Sequence, residues 1–329
     1  MRRREFLGVL CGAAAWPVAA PAQQTGRMRR IGLLMSVPEN DPQGQTRIAA
    51  FREGLQKLGW MESRNIRIDY RWDGSDAELR QRAAMELIAL KPEVVLTAGT
   101  TPTASVLKQT STIPAIFVNV SDPIGSGFVA SLSRPGGNVT GFMNFEASMA
   151  GKWLELLKQI APHVVKVVFL FNPTTAPYAE SYLSTFRTEA LSFGVKTMAA
   201  PVRSVAEIEA AVEKQAQEQN GGIIVMPDGF MSAKRVEVTS SIAQHRLPAV
   251  YPYRFFTDIG GLLSYGIDQL DEYRRAATYV DKILNGAKPS NLPVQLPVKF
   301  ELIINLRTAK TLGLDVPLSL QQRADEVIE

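Results

Sequence analysis

Gly99-Thr100-Thr101-Pro102 has the residue types and the order needed to hold an anion. The glycine lets a ligand come close to the main chain, the threonines offer hydroxyls, and a proline early in a helix leaves the amides before it unpaired. Free N–H groups at a helix N-terminus make a ready carboxylate site. The same spacing also suits Thr101 as a plain helix cap, and both readings stay open.

Other polar residues carry a similar double reading. Asp122 can accept from a ligand amine or act as an N-cap before Pro123. Asn172-Pro173 is ambiguous in the same way, and Asp228-Gly229 is a turn dipeptide first and a ligand contact second. Tyr251, Tyr253, Phe255, Phe256 and Tyr265 crowd the end of one expected strand and the start of the next. About half of such a cluster packs a core, and the rest would give a stacking wall for a flat or apolar ligand.

Catalytic chemistry finds no foothold. The chain has one cysteine, Cys11, and two histidines, His163 and His245, which lie far apart near helix ends. That excludes a cysteine nucleophile and a His/Cys metal cluster beyond position 11. No Gly-x-Ser-x-Gly elbow and no phosphate-binding P-loop occurs. Gly125-Ser126-Gly127-Phe128-Val129-Ala130 matches a dinucleotide pattern, but it follows the fourth expected strand, inside a short expected helix. The expectation is a protein with no cofactor, no metal and no enzymatic activity.

These residues need elements to position them, and the chain supplies those elements twice. Residues 30–37 read as a continuous apolar strand, and 46–58 as a helix with Ile48, Phe51, Leu55 and Leu58 on one face. Residues 66–70 alternate as a strand. Ser75-Asp76-Ala77-Glu78 reads as a capping box opening a helix with Leu79, Ala83, Leu87 and Leu90 inward. Residues 93–98 and 115–120 give two more strands, and 139–142 a fifth.

The order then repeats at an offset of about 135 positions. The strand at 167–171 answers the first, and Phe186-Arg187 ending at Gly194 answers Phe51-Arg52 ending at Gly59. Ser204-Val205-Ala206-Glu207 is a second capping box, and Leu247-Pro248-Ala249-Val250 echoes Ile113-Pro114-Ala115-Ile116. Strands alternating with helices predict an α/β fold of two doubly wound parallel-sheet lobes. The expected division is 29–142 plus 261–288 for one lobe and 143–260 plus 289–329 for the other. It has the strand at 261–266 return to the first lobe and that at 302–305 to the second, so the chain crosses between lobes three times.

In such sheets ligands bind beyond the carboxyl ends of the strands. The loops to inspect are therefore 36–45, 99–101 and 121–122 in one lobe, and 172–178, 227–230 and 251–256 in the other.

Residues 1–22 read as a twin-arginine export leader, with Arg2-Arg3-Arg4-Glu5-Phe6-Leu7, a short apolar core and Ala20-Pro21-Ala22 as the cleavage site. Its apolar core is shorter than the roughly 20 residues that span a bilayer. The 46% hydrophobic and 21% charged composition is that of a soluble globular chain. Without Arg2, Arg3, Arg4 and Glu5 the net charge falls from +4 to +2, and no Lys/Arg cluster suggests nucleic acid or a membrane surface.

The run 122–141, DPIGSGFVASLSRPGGNVTG, resembles the signature of the tryptophan/tyrosine-type ABC transporter substrate-binding proteins, which have a type I periplasmic binding protein fold. PAVY at 248–251, LSYGID at 263–268 and ELIINLRTAKTLG at 301–313 are similar to later motifs of that family. The resemblance spans nearly the whole chain after the leader. It implies two lobes joined by three hinge strands, a small ligand enclosed between them, a periplasmic location, a monomer and an ABC permease as partner. Members with identified ligands bind aromatic amino acids. By position, Ser36, Thr100, Thr101, Ser121, Asp122, Asn144, Asn172 and Asp228 fall where the family contacts its ligand. Gly99 and Tyr251 join them from the residue reading. The loops 38–44 and 226–230 depart from the family pattern. A sensor for a signalling partner, or an exported oxidoreductase, are the rival expectations.

Overall fold

The first strand fixes the layout of its lobe. In β1 (Arg29–Met35), Ile31, Leu33 and Met35 enter one buried cluster while Leu34 enters another, so the strand has a core on each face. These coordinates are a computed structural model describing residues 28–329, and the expected leader lies outside them.

The first lobe runs β1, α1 (Pro42–Lys57), β2 (Ile66–Trp72), α2 (Ala77–Ala89), β3 (Val94–Ala98), α3 (Thr100–Leu107), β4 (Ala115–Val120) and β5 (Val139–Met143). All five strands are parallel, in the order β2-β1-β3-β4-β5. Helix α1 begins earlier than the apolar periodicity suggested, because Asp41 caps it and Pro42 fits its first turn. Ile48, Phe51 and Leu55 face inward, but Leu58 is the exposed C-cap.

Three local expectations are corrected. Ser75 is not the cap of α2; it adopts φ +68°, and the cap is Asp76, whose Oδ1 accepts from Leu79 N at 2.8 Å. The one-residue slip turns Leu79 outward and buries Arg80 instead. The segment after Asp122 forms turns rather than a helix, because Asp122 itself sits at φ +46°, outside the extended region an N-cap needs.

The second lobe repeats the plan with α4 (Met149–Ile160), β6 (Lys166–Phe171), α5 (Ala179–Ser192), β7 (Lys196–Pro201), α6 (Val205–Ala216) and β8 (Gly221–Val225). It continues through α7 (Gly229–Ala233), α8 (Arg235–Gln244), β9 (Ala249–Tyr251), α9 (Arg254–Asp258) and β10 (Leu263–Ile267). Its sheet order includes β10-β9-β8-β6-β7, which matches the first sheet strand for strand.

The strand expected to return to the first lobe therefore stays in the second. β10 pairs with β9 in parallel, and with β11 (Phe300–Asn305) antiparallel from Leu263↔Ile304 to Ile267↔Phe300. Only the next helix, α10 (Gln269–Leu284), crosses back. Its Tyr273, Ala276, Ala277 and Val280 pack in the cluster that holds Ile48, Phe51 and Leu55 of α1.

The stretch after α10 also remains with the first lobe, contrary to the expected boundary at 289. Val294 N donates to Leu132 O at 2.7 Å, and Gln295 N donates to Gly141 O at 2.8 Å. The last passage leads into β11, after which α11 (Leu306–Thr311), α12 (Leu318–Gln321) and β12 (Glu326–Ile328) close the second sheet. Three passages thus join the lobes: one after Met143, one at Asp268 and one between Gln295 and Phe300.

Candidate ligand cleft between the lobes

The first-lobe edge is built around a helix start that lacks a side-chain cap. Gly99 is the N-cap of α3 at φ +104°, a conformation L side chains rarely adopt, and having no side chain it can satisfy none of the first-turn amides. Helix α3 starts at Thr100, which places Thr101 inside the first turn rather than at the cap. Thr103 supplies the local hydroxyl contacts, donating to Gly99 O at 2.8 Å and sharing a 2.8 Å bond with Thr97. Thr100 Oγ1 lies 3.5 Å from Ser121 O, and Thr101 is half-buried at the rim of the cleft.

Ser36 is held beside this helix start by a buried ion pair one loop away. Arg80 Nε donates to Asp73 Oδ2 at 2.9 Å, and Asp73 Oδ1 accepts from Ser75 N at 2.7 Å. Ser75 Oγ then donates to Ser36 O at 2.9 Å. Burial raises the Asp73 carboxyl above its ordinary value, and the guanidinium of Arg80 opposes that rise. A Cβ on Gly99 would sit 3.8 Å from Ser36 Oγ, so the two candidates are neighbours.

Asp122 lies two residues beyond the end of β4. Its Oδ1 accepts from Gly125 N at 2.8 Å and fastens the following turns, while Oδ2 has no hydrogen-bond partner among the described residues. Ser121 is fully buried, and its hydroxyl donates to Asn144 Oδ1 at 2.8 Å.

Asn144 occupies the first crossing, and its polar capacity is spent internally. Its Nδ2 donates to Asn119 Oδ1 and to Tyr253 Oη, each at 3.2 Å, and its Oδ1 also accepts from Phe145 N at 2.6 Å. Tyr253 Oη in turn donates to Asn119 Oδ1 at 2.8 Å. Burial raises the Tyr253 phenol well above its usual range, so it remains a neutral donor. This network ties a first-lobe strand end to a second-lobe loop.

On the facing edge, Asn172 and Asp228 are bonded to each other. Asp228 Oδ2 accepts from Asn172 N at 3.0 Å, and Oδ1 accepts from Met231 N at 2.8 Å and Thr175 Oγ1 at 3.0 Å. Asp228 caps α7. Desolvation pushes its carboxyl up to about 6 despite those donors. Tyr251 is not on the cleft: it stacks on Phe256 at 5.0 Å within the second-lobe core. The ring facing the first lobe here is Tyr178, from the loop before α5, whose hydroxyl donates to Pro227 O.

Two cavities lie between the edges and share Asp122. One, of about 230 Å³, brings Thr100, Thr101 and Phe128 against Pro177 and Tyr178. The other, of about 260 Å³, sets Ile124 and Met143 against Ser181 and Tyr182. Tyr178 and Tyr182 touch at 5.7 Å, and Tyr182 Oη donates to Phe145 O at 3.0 Å. Tyr182, Asn119 and the charged residues Arg47 and Arg235 were not singled out by the sequence. Tyr182 lies one helical turn past the Asn172–Tyr178 loop, which was the only available pointer. Open amides at Thr100 and Thr101 suit a carboxylate, the free oxygen of Asp122 suits an amine, and the tyrosines suit an apolar body.

Two facing α/β lobes with a polar cleft and three connections define a type I periplasmic binding protein fold. The chain belongs to the ABC transporter substrate binding protein family, whose profile matches residues 35–328. A curated relative, a tyrosine-binding protein from Clostridioides difficile (strain R20291), is 23% identical over 265 residues, covering 80% of this chain and 75% of that one. A domain from Streptococcus pneumonia solved in complex with L-Trp is 26% identical with a TM-score of 0.85, covering 92% of this chain and all of its own. A conserved domain protein from Vibrio cholerae gives 25% identity and the same TM-score of 0.85, again over 92% of this chain and 100% of that one. No helix among the described residues is long and apolar enough to cross a membrane.

Proposed function

We propose that this chain is the periplasmic solute-binding component of an ABC importer, exported through its twin-arginine leader as a monomer and delivering to a membrane permease. Its ligand is a small organic carboxylate, with aromatic amino acids the first candidates. The observation that carries the reading is the uncapped start of α3 facing Tyr178 and Pro177 across an interlobe cavity. The tyrosine and tryptophan bound by relatives of this chain have the carboxylate, amine and ring that this arrangement suits.

Thr100, Thr101, Asp122 and Tyr178 contact the ligand in this reading, with Ser36 and Gly99 shaping the floor. Ser121, Asn144, Asn172 and Asp228 position those groups through the bonds described above. Closure follows from the ligand touching both lobes, so that it binds the closed state better and shifts the population toward it. Converting a mostly open population to a mostly closed one takes about 5.5 kcal/mol of differential binding.

A thermal-shift screen of amino acids and small carboxylates tests the ligand class, because binding to the native state raises the melting temperature by mass action. Small-angle scattering tests closure. A radius of gyration unchanged by a saturating hit contradicts the mechanism, and silence across the carboxylates contradicts the ligand class.

A further inference from the structure

On the hinge side of the cleft lies a separate cavity of about 240 Å³ with walls from both lobes. The first lobe contributes Gln43 and Arg47 of α1 and Arg274 of α10, and the second contributes Tyr253, Arg254 and Phe255.

Arg47 is the anomaly in this cavity. It is 5% exposed, yet no carboxylate among the described residues lies within ion-pairing distance of it. Its guanidinium donates once, to the neutral amide Gln269 Oε1 at 2.7 Å, and lies 5.6 Å above the Phe255 ring. The other buried arginine of this lobe, Arg80, has the carboxylate of Asp73.

A guanidinium carries five N–H donors in a fixed fork, and burying its charge without a counter-charge is strongly unfavourable. The carboxylates nearby do not supply that counter-charge. Asp268 and Glu301 line the cavity but are held by Lys299 at 2.8 Å and 3.3 Å. Arg254 pairs with Glu326 at 2.7 Å and Arg274 with Glu53 at 3.1 Å, both at more exposed positions. Glu272 of α10 also feels the charge of Arg47, but it lies beyond ion-pairing distance and accepts from Asn119 N at 3.2 Å, so the unpaired donors in the cavity are those of Arg47.

We propose that this cavity is a second binding site, which takes a small carboxylate on the free edge of the Arg47 guanidinium. A planar carboxylate matches the fork bidentately, and Arg254 from the facing lobe adds favourable charge. The site is distinct from the cleft around Thr101, and Tyr253 and Phe255 form the wall between the two lobes at this point. The inference does not rest on the ligand assigned to the cleft.

Malonate, titrated at ionic strength held constant with sodium chloride, is the probe. Wild-type protein is expected to show a saturable rise in melting temperature beyond the chloride control. Arg47→Gln is expected to abolish it, and Thr101→Val, altered in the cleft, to retain it. Arg254→Ser changes a half-exposed side chain and provides a reading if Arg47→Gln does not fold; it is expected to weaken malonate about tenfold, the effect of about 1.4 kcal/mol. No saturable response in the wild type overturns the proposal. So does a response of equal strength in Arg47→Gln or Arg254→Ser, or one weakened in Thr101→Val, which would move malonate to the cleft.

Discussion

Asp41 and Arg235 are joined across the cleft: Arg235 Nη1 donates to Asp41 Oδ2 at 2.6 Å, with side chains 12% and 7% exposed. Asp41 is also the cap of α1, its Oδ1 accepting from Gly44 N at 3.0 Å, so the ion pair grips a first-lobe element that is already fixed. Arg235 begins α8 in the second lobe and also donates to Ser232 O at 3.1 Å. Close by, a Cβ on Gly229 would stand 3.5 Å from Ser75 Oγ and 3.8 Å from Ser36 Cβ. The lobes meet here side chain to backbone, and the pair bridges them.

Removing this pair should weaken ligand capture without unfolding either lobe. Arg235→Gln leaves Asp41 with its backbone donor and a wet alternative in the open form, so the loss falls on the closed state. An affinity drop of about tenfold, or about 1.4 kcal/mol, is expected by calorimetric titration with the best hit of the screen. Unchanged affinity would show that closure does not depend on this pair.

The start of α3 gives a prediction that separates fold from recognition. Thr101→Val keeps the shape and removes one hydroxyl at a half-buried position, so the melting temperature of the free protein should stay within a degree or so. Ligand affinity should fall by the worth of one hydrogen bond, about 1 kcal/mol. Gly99→Ala is the harsher change. It forces φ +104° on a residue with a Cβ, costing about 1–2 kcal/mol of stability as well as binding. Full binding by both variants would remove this helix start from the site.

Much of this arrangement was legible in the sequence, and the misses have a common cause. Alternation and caps report how an element packs inside one lobe, so strands, most helices and the duplicated order could be read from them. They do not say which lobe an element joins. β10 is buried along almost its whole length and would suit either sheet; its true place follows from β5, whose counterpart it is in the repeat. Arg47 sits on the same helix as Ile48, Phe51 and Leu55, and the apolar stripe gives no reason to bury a charged neighbour. It is covered by residues distant in sequence, Gln269 of α10 and Phe255 of the second lobe. Tyr251 and Tyr253 differ by two positions, but the strand ends between them, so one turns into the core and the other toward the crossing.

Asp228 predicts a pH dependence of stability. Its folded carboxyl titrates at about 6, against an ordinary value of 3.8, so between those values the native state holds a proton that the unfolded chain has released. Stability from this group is complete below the lower value and is lost as pH rises to about 6, by an amount on the order of 3 kcal/mol for a shift of about two units. Asp228→Asn cannot titrate. It also sets an amide against one backbone donor, so it should be less stable overall but flatter between pH 4 and 6. Urea denaturation across that range checks this; an equally steep decline in the variant would assign the titration to another residue.

Glu272 offers the sharpest test of the hinge. It sits in the first turn of α10, where the chain re-enters the first lobe, and is 2% exposed. Its Oε2 accepts from Asn119 N at 3.2 Å, while Oε1 has no partner. Asn119 is the residue that receives Asn144, Tyr253 and Gln269. Burial drives the Glu272 carboxyl well above its ordinary 4.5, with Arg275 and Arg47 opposing the rise and Asp271 adding to it. The native fold therefore favours the protonated acid, and its stabilising contribution is lost as pH climbs above 4.5 toward the folded value. Glu272→Gln copies the protonated shape, keeps an oxygen for Asn119 N and has no proton to lose. The variant should match wild type in melting temperature near pH 4.5 and exceed it increasingly toward pH 8. A constant gap at all pH values would mean that Glu272 is charged inside the hinge, with the arginines outweighing its burial.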